Sequence, residues 1–332
     1  RQVLSTLPAF CKDYFRAIDS TTTTKTRISY AYDIRIFFQF LLDENPAFKN
    51  YAMTDFSVDV LDQIKAVDLE EYQNGDKTET NGERGLKRKI SALRSFYAYY
   101  YKREMIHTNP TVLIDVPKIH DKSIIRLDTD EVALLLDYIE HCGDSLTGQK
   151  RVYYEKTKER DLAIATLLLG TGIRVSECVG LDIEDVDFKN NGIKVTRKGG
   201  NEMVVYFGEE VEKALKRYLE VRAGITPLAG HEHALFYSAQ RKRMGVQAVE
   251  NMVKKYSRQI TTTKKITPHK LRSTYGTALY QETGDIYLVA DVLGHKDVNT
   301  TRKHYAAQED ARKRRAANAV QLREHYNPGL HE

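Results

Sequence analysis

"VDFKNNGIKVTRKGGNEMVVYFG", residues 186–208, alternates apolar and polar side chains around an Asn-Asn-Gly turn at 190–192 and a Gly-Gly turn at 199–200. Alternation with a period of two, broken by two turn signals, predicts a three-stranded antiparallel meander. On both sides the spacing becomes helical. Upstream, "KERDLAIATLLLGTG" (158–172) reads as an apolar helix stopped by glycine, preceded by "EVALLLDYIE" (131–140) behind an Asp128/Thr129 cap. Downstream the chain returns to helix and carries the basic run "ARKRR" at 311–315. The expected fold is mainly α with a small antiparallel β-sheet.

The first third reads as helical throughout. In 27–44, Tyr30, Ile34, Phe37, Phe38, Leu41 and Leu42 recur at helical spacing behind a threonine-rich cap, and Asn45-Pro46 ends the run. Residues 57–73 read as a second, more acidic helix, with "NGD" (74–76) and "TNGE" (80–83) marking a loop after it. A third helix is expected over about 83–106, with Leu86, Ile90, Leu93, Tyr97 and Tyr101 as its apolar stripe. Its N-terminal half clusters Arg84, Lys87, Arg88 and Lys89, a basic face of the kind that meets nucleic-acid phosphates; Lys25 and Arg27 add to it from the start of the first helix. The stretch 107–131 holds Pro110 and Pro117 without helical period. These features predict a helical domain over 1–117, a linker at 118–123, and a second domain over 124–332 that ends in a tail helix.

Composition narrows the classes. The chain has 332 residues, 41 % of them hydrophobic, and a formal charge of +5, with mean hydropathy −0.52. That is a folded chain of about two domains rather than a disordered one. No apolar run approaches the roughly 18 residues that would cross a bilayer, and no signal-peptide pattern is present, so no membrane is expected among its partners. The chain opens on Arg1 and not Met, as expected where native residues precede it. Three cysteines, Cys11, Cys142 and Cys178, are odd in number and far apart, which argues against a disulfide framework and for a reducing compartment. Zinc-ligand spacings and phosphate-loop motifs are absent. His231 and His233 in "LAGHEHALF" read as a polar loop entering a strand, so no metal or cofactor is expected. An intracellular enzyme or binding protein remains.

Three sites carry chemistry. In Gly170-Thr171-Gly172-Ile173-Arg174-Val175-Ser176-Glu177, a helix stops at a glycine turn and the next begins at Arg174. An arginine at a helix start suits an anion, and Glu177 is placed to hold its guanidinium or its loop. In Thr267-Pro268-His269-Lys270-Leu271-Arg272, Thr267 caps, Pro268 takes the first helical position, and His269 and Arg272 share a face. In Val292-Leu293-Gly294-His295, Gly294 ends a helix and His295 sits in the turn; Tyr305 follows ten residues on. Taken singly, each also reads as an ordinary helix corner or a solvated face.

In this order, "TGIRVSE" at Arg174, His-x-x-Arg at His269 and Arg272, "LGH" at His295 and the later Tyr305 resemble the tyrosine recombinases, the family of phage and transposon integrases and Xer recombinases. The resemblance covers the second domain, which it implies is a mixed α/β catalytic domain, and the basic helical first domain is similar to the family's core-binding domain. It implies that Arg174 and Arg272 bind the scissile phosphate, with His295 as a further ligand. It further implies that His269 assists proton transfer and that Tyr305 is the nucleophile, forming a 3′-phosphotyrosine. The family's general acid is a lysine in a hairpin turn, a place held here by Lys198, with Lys194 and Arg197 as neighbouring competitors. Tyr305 departs from the pattern, since many members have nine residues where this chain has ten.

The implied activity is site-specific cleavage and rejoining of DNA for integration or excision of a bacterial mobile element, without cofactor. Xer-type chromosome or plasmid dimer resolution and relaxation of the type IB topoisomerase kind are the alternatives on the same chemistry. A DNA-binding protein that no longer cuts is disfavoured, having no physical need for all six residues. The implied partners are double-stranded DNA with specific sites, three further copies in a homotetramer linked by tail exchange, and an accessory directionality factor. The implied location is the bacterial cytoplasm, at the nucleoid.

Overall fold

Thr23 starts the longest helix of the first unit, its Oγ1 accepting from Thr26 N at 3.2 Å. The helix runs Thr24–Glu44 and ends at Asn45, before Pro46. The computed structural model describes residues 3–79, 82–116, 124–197 and 200–295, with 298 and 301. The chain divides into two units, Arg1–Lys122 and Ser123–Glu332. The expected linker at 118–123, Lys198, Tyr305 and the tail lie outside the described residues.

In the first unit, α1 (Cys11–Ala17), α2 (Thr24–Glu44), α3 (Val60–Gln63), α4 (Ala66–Glu79) and α5 (Glu83–Tyr101) enclose an aromatic core. Ile34, Phe37, Phe38 and Leu41 of α2 meet Ile90, Leu93, Phe96 and Tyr100 of α5 there, all buried. Phe38 lies 5.0 Å from Phe56 and Tyr14 5.2 Å from Phe96, ring to ring, separations at which offset and edge-on packing adds to burial.

Two expectations change here. The acidic stretch is two helices, because the Asp68 carboxylate accepts from Lys65 N at 2.7 Å and starts a new helix there. That second helix runs on through Asn74-Gly75-Asp76 instead of ending. Its buried Leu69 and Tyr72 anchor the turns before that point, and one interior glycine costs only about 1 kcal/mol. α5 is also shorter than expected, stopping at Tyr101, and Tyr101 is 48 % exposed rather than part of the apolar stripe.

The second unit has α6 (Thr129–His141), α7 (Gly148–Thr171), α8 (Val175–Gly180), β1 (Val186–Asp187), β2 (Gly192–Thr196), β3 (Glu202–Tyr206), α9 (Glu209–Ala223), α10 (Val246–Ile260), α11 (Pro268–Thr283) and α12 (Ile286–Leu293). Asp128 caps α6 in a reciprocal box, Asp128 N donating to Glu131 Oε2 at 2.8 Å. The run Leu162–Leu168 of α7 is buried on every side, and α6, α9 and α11 pack around it. The meander forms in the order β1-β2-β3, with Val186 opposite Ile193 and Ile193 opposite Val205. Ile193, Val195 and Val205 face the core, as the alternation demands, although β1 keeps only two residues. The segment around His231 and His233 is a loop with a single bridge, Asp182 to Ala234, rather than a strand. His233 Nδ1 lies 2.8 Å from Glu184 Oε1.

Candidate active site

Gly172 ends α7 in the left-handed region at φ 63°. A Cβ there would overlap the Tyr275 ring and lie 2.9 Å from Leu293 Cδ2, so the turn needs glycine twice over. The chain then enters α8 with Arg174 at the N-cap. Glu177, 6 % exposed, accepts twice from that residue: from Arg174 N at 2.8 Å and from its Nη1 at 2.7 Å. One buried carboxylate therefore fixes both the backbone and the guanidinium of Arg174, through charge-assisted bonds.

Thr267 holds the N-cap position of α11 and Pro268 its first turn, although the Thr267 hydroxyl makes no capping bond. His269 follows, exposed. Arg272, one turn on, is only 4 % exposed. Its Nη1 donates to Gly172 O and its Nη2 to Leu293 O. It thus ties the α7–α8 corner to the end of α12.

α12 starts under the Asp285 carboxylate, which accepts from Tyr287 N at 2.8 Å and Leu288 N at 3.1 Å. It ends with Gly294 in the left-handed region. Gly294 N donates to Asp291 O at 2.8 Å and His295 N to Ala290 O at 2.9 Å, the paired bonds of a Schellman turn. Carbonyls in a helix's last turn lack helical partners and carry partial negative charge. Here guanidinium groups meet them: Arg197 Nη2 at Val292 O (2.8 Å), Arg272 at Leu293 O, and Arg174 Nη2 at Gly294 O (3.3 Å). The His295 ring is oriented by a 2.7 Å bond between Nδ1 and Oγ1 of the fully buried Thr301.

Arg174, Arg272 and the His295 turn are therefore one construction, with His269 a helical turn from Arg272. The two competitors of Lys198 are both engaged. Lys194 pairs with Asp185 at 3.8 Å and Glu202 at 3.6 Å, and Arg197 is bound to the 292–294 turn. Sequence reasoning missed the Thr301 and Arg197 anchors. A threonine and an arginine give no sign of a partner that is a ring nitrogen or a distant carbonyl.

Burial pushes the Cys178 thiol up to about 12, and it likewise raises the Tyr275 phenol. Burial also lowers the Arg197 pKa, opposed by Glu177 and Asp291 and reinforced by Arg174. Among the described residues no group of His, Cys, Asp and Glu is arranged to hold a metal, and no helix is long and apolar enough to cross a membrane.

Of the residues expected at a DNA face of the first unit, Lys89, Arg88 and Arg27 are engaged within the fold. Lys89 is 3 % exposed, its ammonium 6.0 Å from the Tyr72 ring centre, because it falls on the buried side of α5. Arg88 is paired to the buried Asp33. Arg27 closes the loop before α2, donating to Asp19 O at 2.8 Å and Thr22 O at 2.6 Å. Lys25, Arg84 and Lys87 are exposed.

Residues 126–312 match the model of the phage integrase family. The chain is 32 % identical to a protein called tyrosine recombinase XerC from Caldanaerobacter subterraneus subsp. tengcongensis, over 92 % of this chain and 84 % of that one. It is 30 % identical to tyrosine recombinase XerS of Lactococcus lactis subsp. cremoris, over 89 % of this chain and 90 % of that one. In fold it is similar to the integrase of transposon Tn1549, solved in complex with transposon right end DNA. That likeness has a TM-score of 0.67 at 22 % identity, over 93 % of this chain and 99 % of the other.

Proposed function

The chain belongs to the phage integrase family, that of the tyrosine recombinases, and from that premise we propose how its residues cut and rejoin DNA. It is a site-specific recombinase that works through a 3′-phosphotyrosine. The observation that carries the residue assignment is the convergence of Arg174, Arg272 and the His295 turn around the end of α12. Planar guanidinium forks match the oxygens of a phosphodiester and the charge that grows on them as phosphorus becomes five-coordinate. Glu177 and Gly294 O hold the Arg174 fork, and Gly172 O and Leu293 O hold that of Arg272, so both are positioned before DNA arrives.

Tyr305 attacks the scissile phosphorus. Its O–P bond forms as the bond from phosphorus to the 5′ oxygen breaks, and His269 takes the phenol proton. A tyrosine of ordinary pKa near 10 is a weak nucleophile, so this removal matters. Lys198 gives a proton to the leaving 5′ oxygen, which departs as a hydroxyl. Rejoining is the reverse, with the 5′ hydroxyl of another strand attacking the phosphotyrosine. The covalent link conserves the bond's energy, so resealing draws on no external source.

The substrate is double-stranded DNA carrying specific sites, gripped in part by Lys25, Arg84 and Lys87. Four copies act together through tail exchange, with an accessory factor setting direction, in the cytoplasm at the nucleoid. We place the activity in integration and excision of a mobile element, in keeping with the family description. A second setting, Xer-type dimer resolution, is favoured by the names of the relatives at 30 % identity and above.

The test uses nicked suicide duplexes cut from the protein's native genetic neighbourhood. A denaturant-resistant adduct is expected with the wild type and none with Tyr305→Phe, while binding is unchanged. Its position maps the cleavage site: an element end supports integration, and a replication-terminus site supports dimer resolution. Adduct formation by Tyr305→Phe removes Tyr305 as nucleophile.

A further inference from the structure

A side chain at a hairpin tip ordinarily points to solvent. Arg197, at the end of β2, does not. Its Nη2 donates to Val292 O at 2.8 Å, across 95 residues of sequence. The guanidinium lies so close to Gly294 that a Cβ at that position would overlap it. The main chain of the same residue closes the tip: Arg197 N donates to Asn201 O at 2.8 Å, and Gly200 N donates to Arg197 O at 3.0 Å. Arg197 therefore both forms the β2–β3 tip and fastens it to the turn that holds His295.

The next residue in the chain is Lys198. A lysine ends in a compact charge on a flexible four-carbon stem and cannot fix its own position. Gly200, two residues on, sits at φ 83°, a conformation open to glycine. A proton donor must nevertheless stand within about 3 Å of the oxygen it serves. Something outside the tip has to hold it.

We infer that Arg197 is a positioning residue: by docking the β2–β3 tip onto the Val292–Gly294 turn, it sets where Lys198 meets the leaving 5′ oxygen. The inference rests on the reading of Lys198 as general acid. It separates Arg197 from Arg174 and Arg272, which face the phosphate. Their loss slows reaction whatever the leaving group, whereas loss of Arg197 matters only when the leaving oxygen needs a proton.

That difference is measurable on the mapped cleavage site, synthesised with an ordinary 5′ oxygen or with 5′ sulfur in the bridging position. Sulfur leaves without a proton. On the oxygen duplex, Arg197→Ala is expected to slow adduct formation on the order of 10²-fold, the effect of about 1 Å of misplacement. On the sulfur duplex it is expected to match the wild type, as Lys198→Ala is, and the double variant is expected to be no slower than Lys198→Ala alone. Arg197→Lys, which keeps charge and most of the reach, is expected to recover part of the loss on oxygen. Rescue of Lys198→Ala without rescue of Arg197→Ala overturns the inference and leaves the acid assignment standing. Full-speed cleavage of the oxygen duplex by Arg197→Ala overturns it as well. No rescue of either variant removes Lys198 from the acid role, and the inference falls with it.

Discussion

The Arg272 guanidinium is nearly sealed from solvent and donates in two directions, to Gly172 O and to Leu293 O. Lysine at this position keeps the charge but has one nitrogen on a flexible stem, so it cannot hold both carbonyls and present a fork to a phosphate. Arg272→Lys is therefore expected to lower the rate of adduct formation on the order of 10²- to 10³-fold, the usual effect of removing one donor from a preorganised anion site. Binding of the duplex should weaken far less, since the remaining cationic side chains still neutralise the other phosphates. Equal loss of binding and cleavage would mean that Arg272 only supports the fold. At this scale the sequence is legible wherever chemistry and turn geometry coincide. Arg174 follows a glycine corner, Arg272 follows a Thr-Pro helix start, and His295 follows a helix-ending glycine. The bond from Thr301 to His295 and that from Arg197 to Val292 are not legible. One partner is a backbone carbonyl, which has no sequence signature, and the other is a threonine six residues beyond the histidine, a spacing that by itself marks no contact.

Two glycines of the α7–α8 region differ in kind. Gly172 sits at φ 63°, with Tyr275 and Leu293 filling the space a side chain would need, whereas Gly180 at the end of α8 has nothing within 4 Å of a built Cβ. Left-handed backbone costs an L residue about 1–2 kcal/mol, and overpacking adds about 1–3. Gly172→Ala is thus expected to destabilise the second unit by about 2–5 kcal/mol, seen as a Tm about 4–20 °C lower. Gly180→Ala should stay within about 0.5 kcal/mol of the wild type. A tolerated Gly172→Ala would show that the corner relaxes and that Arg272 does not depend on its shape. Helix ends are readable where a cap or proline supplies local chemistry, as at Thr23, Asn45-Pro46 and the Asp128–Glu131 box. The pattern misleads at 57–79. There the Asp68 cap cuts an apparently continuous helix, and an Asn-Gly-Asp triplet that ordinarily signals a turn is carried through as helix. Local propensity gives way to the buried Leu69 and Tyr72 face.

Each unit has its own hydrophobic core. The first is built on Phe38, Phe96 and Tyr100, the second on the buried run of α7, and among the described residues no core side chain belongs to both. A domain with a complete core folds by itself, so residues 124–332 are expected to unfold cooperatively when expressed alone. All the assigned catalytic residues lie in that segment, and the exposed Lys25, Arg84 and Lys87 lie outside it. The fragment should therefore form the covalent adduct on a suicide duplex when protein is in excess. Its affinity should be weaker and less sensitive to salt, because each phosphate left without its cationic side chain reduces the slope of log K against log salt by about 0.9. If Lys25, Arg84 and Lys87 each neutralise one phosphate, the slope should be shallower by about 3 than that of the full chain. An unchanged slope would mean that the exposed bases of α2 and α5 do not touch DNA. A folded fragment that binds but forms no adduct would place part of the chemistry in the first unit, against the assignment of every catalytic role to the second.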